Sequence, residues 1–195
     1  PVSEIAASIS KEKIVGDLRI LRRSLVEDFG VVEPRIAVMA LNPHAGDGGL
    51  LGREEQEIIR PAIVEAFREG VLAFGPFAAD GLFAGGGYAK YDGILAMYHD
   101  QGLAPFKSLS PDGVNFTAGL AAVRTSPDHG TAFDIAGKDK ADPQSMRNAI
   151  YTAIDIVRNR AEWAEWSANP LPRAEREKSS RDATVKEAPQ AAAKE

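Results

Sequence analysis

Apolar residues recur at helical spacing near the start of the chain and form two short uninterrupted runs farther along. The helical stripe consists of Ile14, Leu18, Leu21 and Leu25. It predicts a helix over 3–29, in which Ser10 caps a second start and Gly30 marks the end. The runs at 35–41 and 93–98 have the length of strands. The first is apolar enough to be buried on both faces, and we expect the second to be buried as well.

A second amphipathic segment predicts a helix at about 54–69, which Pro61 would bend or delay. Residues 71–87 are predicted to form a loop, and 99–142 carry little helix signal. The last helix is predicted to begin at Asp142 and Pro143, a capping side chain followed by a proline at the first helical position. The predicted inward face of this helix consists of Met146, Ile150, Ile154, Val157 and Ala161.

The composition changes at about Asn169, where prolines and charges replace large apolar residues. This predicts a folded part over 1–168 and a disordered tail over 169–195. The net charge of −5, from 23 basic and 28 acidic residues, argues against nucleic acid as a partner. The absence of cysteine excludes disulfides and thiolate metal sites, and it fits a cytoplasmic protein. No apolar run approaches the roughly 20 residues that span a bilayer, so we expect no membrane partner.

Two of the three histidines follow the two predicted strands. His44 comes after the run 35–41, and His99 comes after the run 93–98. In an open α/β sheet, ligands bind beyond the carboxyl ends of the strands. Imidazoles at that edge suit a divalent metal with an open position for substrate, although polar loop residues without a ligand are the plainer alternative. The third ligand could be Asp47, Asp100, His129 or a residue of another chain.

Three further groups are candidates for binding. The glycine-rich loop 46–52 could approach an anion at a helix N-terminus, or it could be a tight loop without a ligand. Lys107 and Arg124, with Asn115 between them, could hold a carboxylate or phosphate, or they could be solvated surface residues. The segment 128–138 combines small residues, a hydroxyl and carboxylates, which could hold a nucleotide, with Asp134 accepting from a ribose hydroxyl. It lacks the glycine fingerprint of a standard dinucleotide site.

Five motifs in this order resemble the 4-hydroxythreonine-4-phosphate dehydrogenase family of pyridoxal phosphate biosynthesis. They are Leu41–Gly46, Ala96–Gly102, Gly113–Asn115, Arg124–Ser126 and Asp128–Ala132. The resemblance runs from Pro1 to about Trp166. It implies an α/β, isocitrate/isopropylmalate-dehydrogenase-like three-layer fold whose N-terminal part is absent from this chain. It also implies a homodimer with active site and metal ligands shared between subunits.

The reaction implied by the resemblance is oxidation of a small phosphorylated substrate by NAD, followed by decarboxylation to 3-amino-2-oxopropyl phosphate. His44 and His99 match the metal ligands of the family, and the metal could be Zn, Mg, Co or Mn. Lys107, Asn115 and Arg124 match its substrate-binding residues. Asp100 and Lys107 are the candidates for catalytic roles. The cofactor-binding residues implied by the resemblance are His129, Gly130, Thr131, Ala132, Asp134 and Gly137.

The chain resembles only the C-terminal part of this longer family. A further metal-binding histidine of the family would fall immediately before Pro1, and a substrate-binding His-Thr pair would lie farther upstream. We therefore expect activity only when the N-terminal part is present. The alternatives are a paralogue that oxidises another phosphorylated hydroxy acid, such as a threonate or erythronate phosphate, and a non-catalytic module that binds metal or phosphate.

Overall fold

The computed structural model describes residues 1–110, 112–128 and 130–171. The helices are α1 (Ile5–Ser8), α2 (Lys11–Glu27), α3 (Arg60–Arg68), α4 (Ala79–Phe83), α5 (His99–Leu109) and α6 (Gln144–Ser167). The strands are β1 (Arg35–Met39), β2 (Leu72–Phe77), β3 (Gly93–Leu95), β4 (Val114–Phe116) and β5 (Thr125–Pro127). Most of the predicted tail, residues 172–195, lies outside the described residues.

The first helical segment agrees with the predicted caps. The side chain of Ser10 accepts a hydrogen bond of 3.1 Å from the backbone N–H of Lys13, so it caps α2 as predicted. At the other end, α2 stops before Gly30, which has a φ of +68° that glycine adopts at little cost. Pro61 lies in the first turn of α3, after a π-helical turn over Glu55–Ile59. The predicted delay of that helix is confirmed.

A three-stranded parallel sheet forms the core, with β1 between β2 and β3. Ile36 and Val38 pack with the apolar faces of α2 and α3 on one side of the sheet. Ala37 and Met39 face the other side, against Leu82 of α4 and neighbouring aromatic residues. This alternation buries β1 on both faces, as its composition predicts, and helices lie on both sides of a parallel sheet. The predicted α/β class is therefore confirmed.

Strand β2 corrects the predicted loop over 71–87. It runs through Gly75 and Pro76, residues that argue against a strand in a sequence. The sheet tolerates them because β2 is an edge strand, with β1 as its partner. A proline at an edge removes no hydrogen bond that a second neighbour would need.

Helix α5 corrects the weak helix signal after His99. It begins at His99 and contains Gly102 and Pro105. A Cβ atom on Gly102 would lie 3.1 Å from Cβ of Ala96, so glycine allows the helix to pass close to the end of β3. The predicted strand at 93–98 is correspondingly shorter, Gly93–Leu95.

A β-hairpin of β4 and β5 packs on α6. The hydroxyl of Thr125 donates a hydrogen bond of 2.9 Å to the carbonyl of Ala149, and both Ala149 and Ile156 are buried. The predicted inward face of this helix is wrong, because the hairpin covers a different side. All five residues of that predicted face are exposed instead: Met146, Ile150, Ile154, Val157 and Ala161.

Among the described helices, none is both long and apolar enough to cross a membrane.

Candidate active site at the carboxyl edge of the sheet

The structure puts the two histidine-bearing segments beyond neighbouring parallel strands. His44 lies in the loop after β1, and His99 is the first residue of the helix after β3. Because β1 and β3 pair in parallel, their carboxyl ends reach the same edge of the sheet. Both histidines are exposed. The structure thus places both residues after strands that end at the same edge of the sheet, with their side chains open to solvent.

One side chain links these two strand ends. The amide nitrogen Nε2 of Gln101 donates a hydrogen bond of 2.6 Å to the carbonyl of Ala40, and its Oε1 accepts one of 2.8 Å from the backbone N–H of Met97. Ala40 follows β1, and Met97 follows β3. Gln101 therefore fixes the separation of the two segments that carry the histidines.

The loop that carries His44 has an uncommon backbone. His44, Ala45, Gly46, Asp47 and Gly48 have φ values of 53°, 52°, 81°, 44° and 65°, all left-handed. Each left-handed residue other than glycine costs roughly 1–2 kcal/mol. Such a run persists only where the surrounding structure imposes it, and backbone strain of this kind concentrates at functional sites.

The carboxylate of Glu55 accepts hydrogen bonds from the residues just before this loop. Glu55 is 1% exposed, and its Oε1 accepts hydrogen bonds of 2.9 Å and 2.7 Å from the backbone N–H groups of Leu41 and Asn42. Its Oε2 accepts one of 3.0 Å from the Asn42 side chain. Burial by itself raises the pKa of Glu55. The hydrogen bonds from the Asn42 side chain and from the backbone at Asn42, Glu55 and Leu41 outweigh burial, so its pKa lies below the ordinary value.

These contacts also explain the glycines of the loop. A Cβ atom on Gly46 would lie 2.6 Å from Oε2 of Glu55, and one on Gly52 would lie 2.6 Å from Oε2 of Glu54. The glycines allow the backbone to approach the protein's own carboxylates. This favours the alternative of a tight loop over the anion site considered for 46–52.

The ring of His99 contacts a carboxylate that could orient it for metal binding. Its Nδ1 lies 2.7 Å from Oδ1 of Asp100, while 80% of the His99 side chain is exposed. An ionised carboxylate only accepts hydrogen bonds, so this contact favours the tautomer with the proton on Nδ1. The lone pair of Nε2 is then available to a metal, an arrangement that recurs around metal-binding histidines.

The donors present fit a divalent metal but do not complete its coordination. Across 1–110, 112–128 and 130–171, no group of three histidine, aspartate or glutamate side chains is arranged to hold a metal ion. Asp47 and Asp100, considered as third ligands, therefore do not complete a site with His44 and His99 inside the described chain. His129, the third candidate, lies outside the described residues.

The three predicted substrate residues gather around one face of the hairpin. Asn115 pairs with Ser126 across the hairpin, so these two side chains share a face. One step along, the guanidinium of Arg124 donates a hydrogen bond of 2.7 Å to the hydroxyl of Thr117. Lys107 reaches the other end of β5 from α5, with its Nζ 3.6 Å from Oδ1 of Asp128.

The opposite face of the hairpin packs against α6 and against Phe29, which follows α2. Thr125 bonds to α6, and Phe116 meets Phe29 edge to face, with ring centroids 5.5 Å apart. The hairpin is thus anchored on one side and presents polar groups on the other. Asn115 and Arg124 are exposed and accessible to a ligand.

The predicted nucleotide loop is an exposed segment with one short helical turn over Phe133–Ile135. Ala132 and Gly137 have left-handed φ values of 48° and 71°. The carbonyl of Asp134 accepts a hydrogen bond of 2.6 Å from Nζ of Lys138. Gly130, Thr131 and Asp134 are exposed, and His129 lies outside the described residues.

Two residues of the site were missed in the sequence. Gln101 follows His99 by two positions, and Glu55 lies eleven positions beyond His44 in a predicted helix. A glutamate that is predicted to point inward on an amphipathic helix is a usable signal, because a buried carboxylate requires hydrogen-bond donors. Nothing in the sequence indicates that a glutamine joins two strand ends.

Comparison with known proteins identifies the family of this chain. The family model of the pyridoxal phosphate biosynthetic protein PdxA matches residues 1–153. A protein of Bacteroides thetaiotaomicron named 4-hydroxythreonine-4-phosphate dehydrogenase is 61% identical over 172 residues, which are 88% of this chain and 47% of that protein. The chain thus spans about half the length of the curated relatives that it matches.

Solved structures give the same result. The crystal structure of 4-hydroxythreonine-4-phosphate dehydrogenase from Klebsiella pneumoniae is 43% identical, with a TM-score of 0.70 over 80% of this chain and 47% of that one. A terephthalate 1,2-cis-dihydrodiol dehydrogenase from Burkholderia xenovorans is 31% identical, with a TM-score of 0.61, and covers 77% of this chain and 48% of that one. The fold and the family implied by the five motifs are confirmed, and the chain belongs to the PdxA family of pyridoxal phosphate biosynthetic proteins.

Proposed function

We propose that the protein is an NAD-dependent, metal-assisted dehydrogenase that oxidises 4-phosphooxy-L-threonine, whose oxidised form then loses CO₂ to give 3-amino-2-oxopropyl phosphate. One observation carries this proposal. Two exposed histidines follow adjacent parallel strands, and a hairpin with a polar face follows them in the chain. The family supports it, because its curated members bear that enzyme name.

His44 and His99 would hold the metal, which would be Zn, Mg, Co or Mn. When bound, the metal would polarise the substrate hydroxyl as a Lewis acid, and NAD would accept the hydride. Asp100 holds the His99 ring in the tautomer that presents Nε2, and it could take up a proton from the substrate. The third ligand would come from a segment preceding Pro1.

Lys107, Asn115 and Arg124 would bind the anionic groups of the substrate. Thr117 restrains the Arg124 guanidinium, and Asp128 restrains Lys107, so both cations are held before substrate arrives. A positioned cation loses less conformational entropy on binding than a free one. Lys107 would also offset charge that develops near the reacting carbon.

The segment from His129 to Gly137 would bind NAD. Ala132 and Gly137 have left-handed backbone, a conformation that recurs in loops whose N–H groups bind phosphate. Asp134 would accept from a ribose hydroxyl. We further propose a cytoplasmic homodimer in which each site takes metal ligands from both subunits.

The test is NADH formation by the protein expressed from the complete reading frame, with added metal and a panel of substrates. The panel contains 4-phosphooxy-L-threonine, threonate and erythronate phosphates, and a cis-dihydrodiol. Turnover of 4-phosphooxy-L-threonine that is lost in His99→Ala and kept in Lys140→Met is the expected result. Lys140 is an exposed lysine outside the candidate site and serves as the matched surface control.

A second candidate is oxidation of a different vicinal diol or hydroxy acid. It is favoured by the likeness to the cis-dihydrodiol dehydrogenase, because that protein's name describes a substrate without phosphate. Preferred turnover of any other member of the panel would replace the proposed substrate while leaving the reaction class in place. Metal binding without turnover of any substrate would indicate a non-catalytic module.

A further inference from the structure

Glu55 is a buried carboxylate that the proposed reaction does not use. Its hydrogen-bond partners come from the loop before His44: the backbone N–H groups of Leu41 and Asn42 and the Asn42 side chain. The partners are all uncharged. Burial of a carboxylate costs free energy unless the group is hydrogen-bonded. An ionised glutamate can accept all three of these hydrogen bonds.

The same carboxylate also lies close to the backbone of Gly46, which follows His44 in the loop. The backbone of Gly46 passes so close to Oε2 that a Cβ atom there would lie at 2.6 Å. Glu55 thus contacts the chain on both sides of His44, at positions 41–42 and at 46. It therefore lies against the residues just before the left-handed run and against Gly46 in the middle of that run.

Asn42 extends this support to a second carboxylate. Its Nδ2 donates 2.7 Å to Oε2 of Glu54 in addition to its bond with Glu55, so both amide protons are used. With the backbone N–H bonded to Glu55 as well, Asn42 has a single orientation. The residue two positions before His44 is therefore fixed in both backbone and side chain.

We propose that Glu55 is the positioning residue for the metal ligand His44: its carboxylate imposes the left-handed loop that directs the imidazole to the metal. This inference rests on the proposed function, in which His44 is a ligand. Glu55 does not touch metal or substrate, and it acts through Leu41, Asn42 and Gly46. Loss of the carboxylate should therefore weaken metal binding in a protein that still folds.

The test is titration of the protein from the complete reading frame with Co²⁺ alone, read by calorimetry and by the visible spectrum of the bound ion. The variants are His44→Ala, Glu55→Gln and Glu57→Gln. Glu57 is an exposed glutamate in the same helical turn and provides the matched control. We expect Glu55→Gln to weaken Co²⁺ binding about tenfold or more and to alter the spectrum, and Glu57→Gln to change neither.

Two results would overturn the inference, and they differ from each other. If His44→Ala abolishes Co²⁺ binding but Glu55→Gln binds as tightly as Glu57→Gln, Glu55 is not a positioning residue and the proposed metal site stands. If the parent protein binds no Co²⁺, or binds it equally well without His44, the proposed metal site fails and the inference fails with it.

A second variant covers the case in which Glu55→Gln does not fold. Asn42→Ala removes one donor to Glu55 and leaves the carboxylate with its two backbone bonds. We expect Asn42→Ala to fold and to bind Co²⁺ several-fold more weakly than the parent. Unchanged Co²⁺ affinity and spectrum in folded Asn42→Ala would contradict the positioning role.

Discussion

The side-chain amide of Gln101 donates a hydrogen bond of 2.6 Å to the carbonyl of Ala40 and so joins the end of β1 to the start of α5. Its oxygen accepts from Met97 N–H at 2.8 Å, which closes the link to the segment after β3. Glutamine suits this position because one end of its amide donates and the other accepts.

Gln101→Glu should therefore destabilise the protein and separate the two histidine segments. The glutamate can still accept from Met97, but it cannot donate to Ala40, and a partly buried carbonyl then faces a carboxylate. We expect a loss of about 1–3 kcal/mol in the free energy of unfolding, measured by urea denaturation. Gln56→Glu, at an exposed glutamine, is the control and should stay within about 0.5 kcal/mol of the parent. Equal stability of the two variants would contradict the link.

The stability contributed by Glu55 should depend on pH. The pKa of Glu55 in the folded protein lies below its ordinary value of 4.5, because hydrogen bonds to the ionised form outweigh burial. Its contribution is therefore fully present above that ordinary value and is lost as pH falls through the lower folded value. Urea unfolding of the parent and of Glu55→Gln should differ by about 1–3 kcal/mol at neutral pH and converge in acid. The pKa of Glu69, beside Arg19, is also lowered, and its effect cancels in this difference. A difference that is constant with pH would contradict the assignment.

Much of the central sheet could be predicted from the sequence, because its strands are signalled by uninterrupted apolar runs. β1 is the clearest case: it is buried on both faces, and its composition requires that. The strand β2 could not be predicted, because Gly75 and Pro76 interrupt it. They are accommodated where the register against β1 shifts, in a strand that has one neighbour among the described residues. The position of a strand within a sheet depends on tertiary contacts, so a short stretch of sequence does not reveal it.

Helix α5 and the buried side of α6 were missed for the same reason. α5 has no buried residue, and tertiary contact at Gly102 permits the helix to form where it does. In α6 the larger apolar residues suggest one face, but the hairpin packs on the side of Ala149 and Ile156. Helical periodicity identifies a stripe, and only the packed partner decides whether that stripe is buried.

For the candidate site, the sequence located the two histidines proposed as metal ligands through the strands that precede them. It did not identify the side chains that hold those segments, because Gln101 and Glu55 act across 61 and 13 or 14 positions of the chain. Lys107, Asn115 and Arg124 were candidates from their residue types, and the family resemblance implied that they bind substrate. The placement of Asn115 and Arg124 on one hairpin face follows from strand pairing that the sequence does not show.

The ion pair between Arg160 and Asp28 should stabilise the junction of α6 with α2. Nε of Arg160 lies 2.5 Å from Oδ1 of Asp28, whose side chain is 4% exposed and also accepts from Ser24. Arg160→Met would leave this carboxylate buried without its cation, at a cost of about 3–5 kcal/mol in the free energy of unfolding. Arg158→Met is the matched control, because Arg158 is 71% exposed and meets Asp155 only at 3.9 Å. A small change in both variants, measured by denaturant unfolding, would show that the buried pair contributes little.

The hairpin face should determine affinity for the phosphorylated substrate. Removal of one charged hydrogen bond costs about 1.5–3 kcal/mol, so Arg124→Met and Lys107→Met should each lower kcat/KM roughly 10- to 100-fold. Lys140→Met, outside this face, should leave kcat/KM unchanged. If both substitutions left KM for the phosphorylated substrate unchanged, the hairpin face would not be the substrate site. Thermal melting of each variant distinguishes this result from loss of the fold.

Because His44 and His99 lie beyond adjacent strands of one chain, a mixed dimer of the two inactive variants His44→Ala and His99→Ala should remain inactive. A site that took one histidine from each subunit would instead be intact once in the mixed dimer, with His44 from one protomer and His99 from the other. In that arrangement random exchange of subunits would restore roughly a quarter of the parent activity, because half of the dimers are mixed and each has one intact site of two. If both ligands came from a single chain, every site in the mixture would lack one of them. Activity and bound metal of the mixture, measured after reversible dissociation of the complete proteins, decide between the two arrangements, and the same treatment of each variant alone is the control.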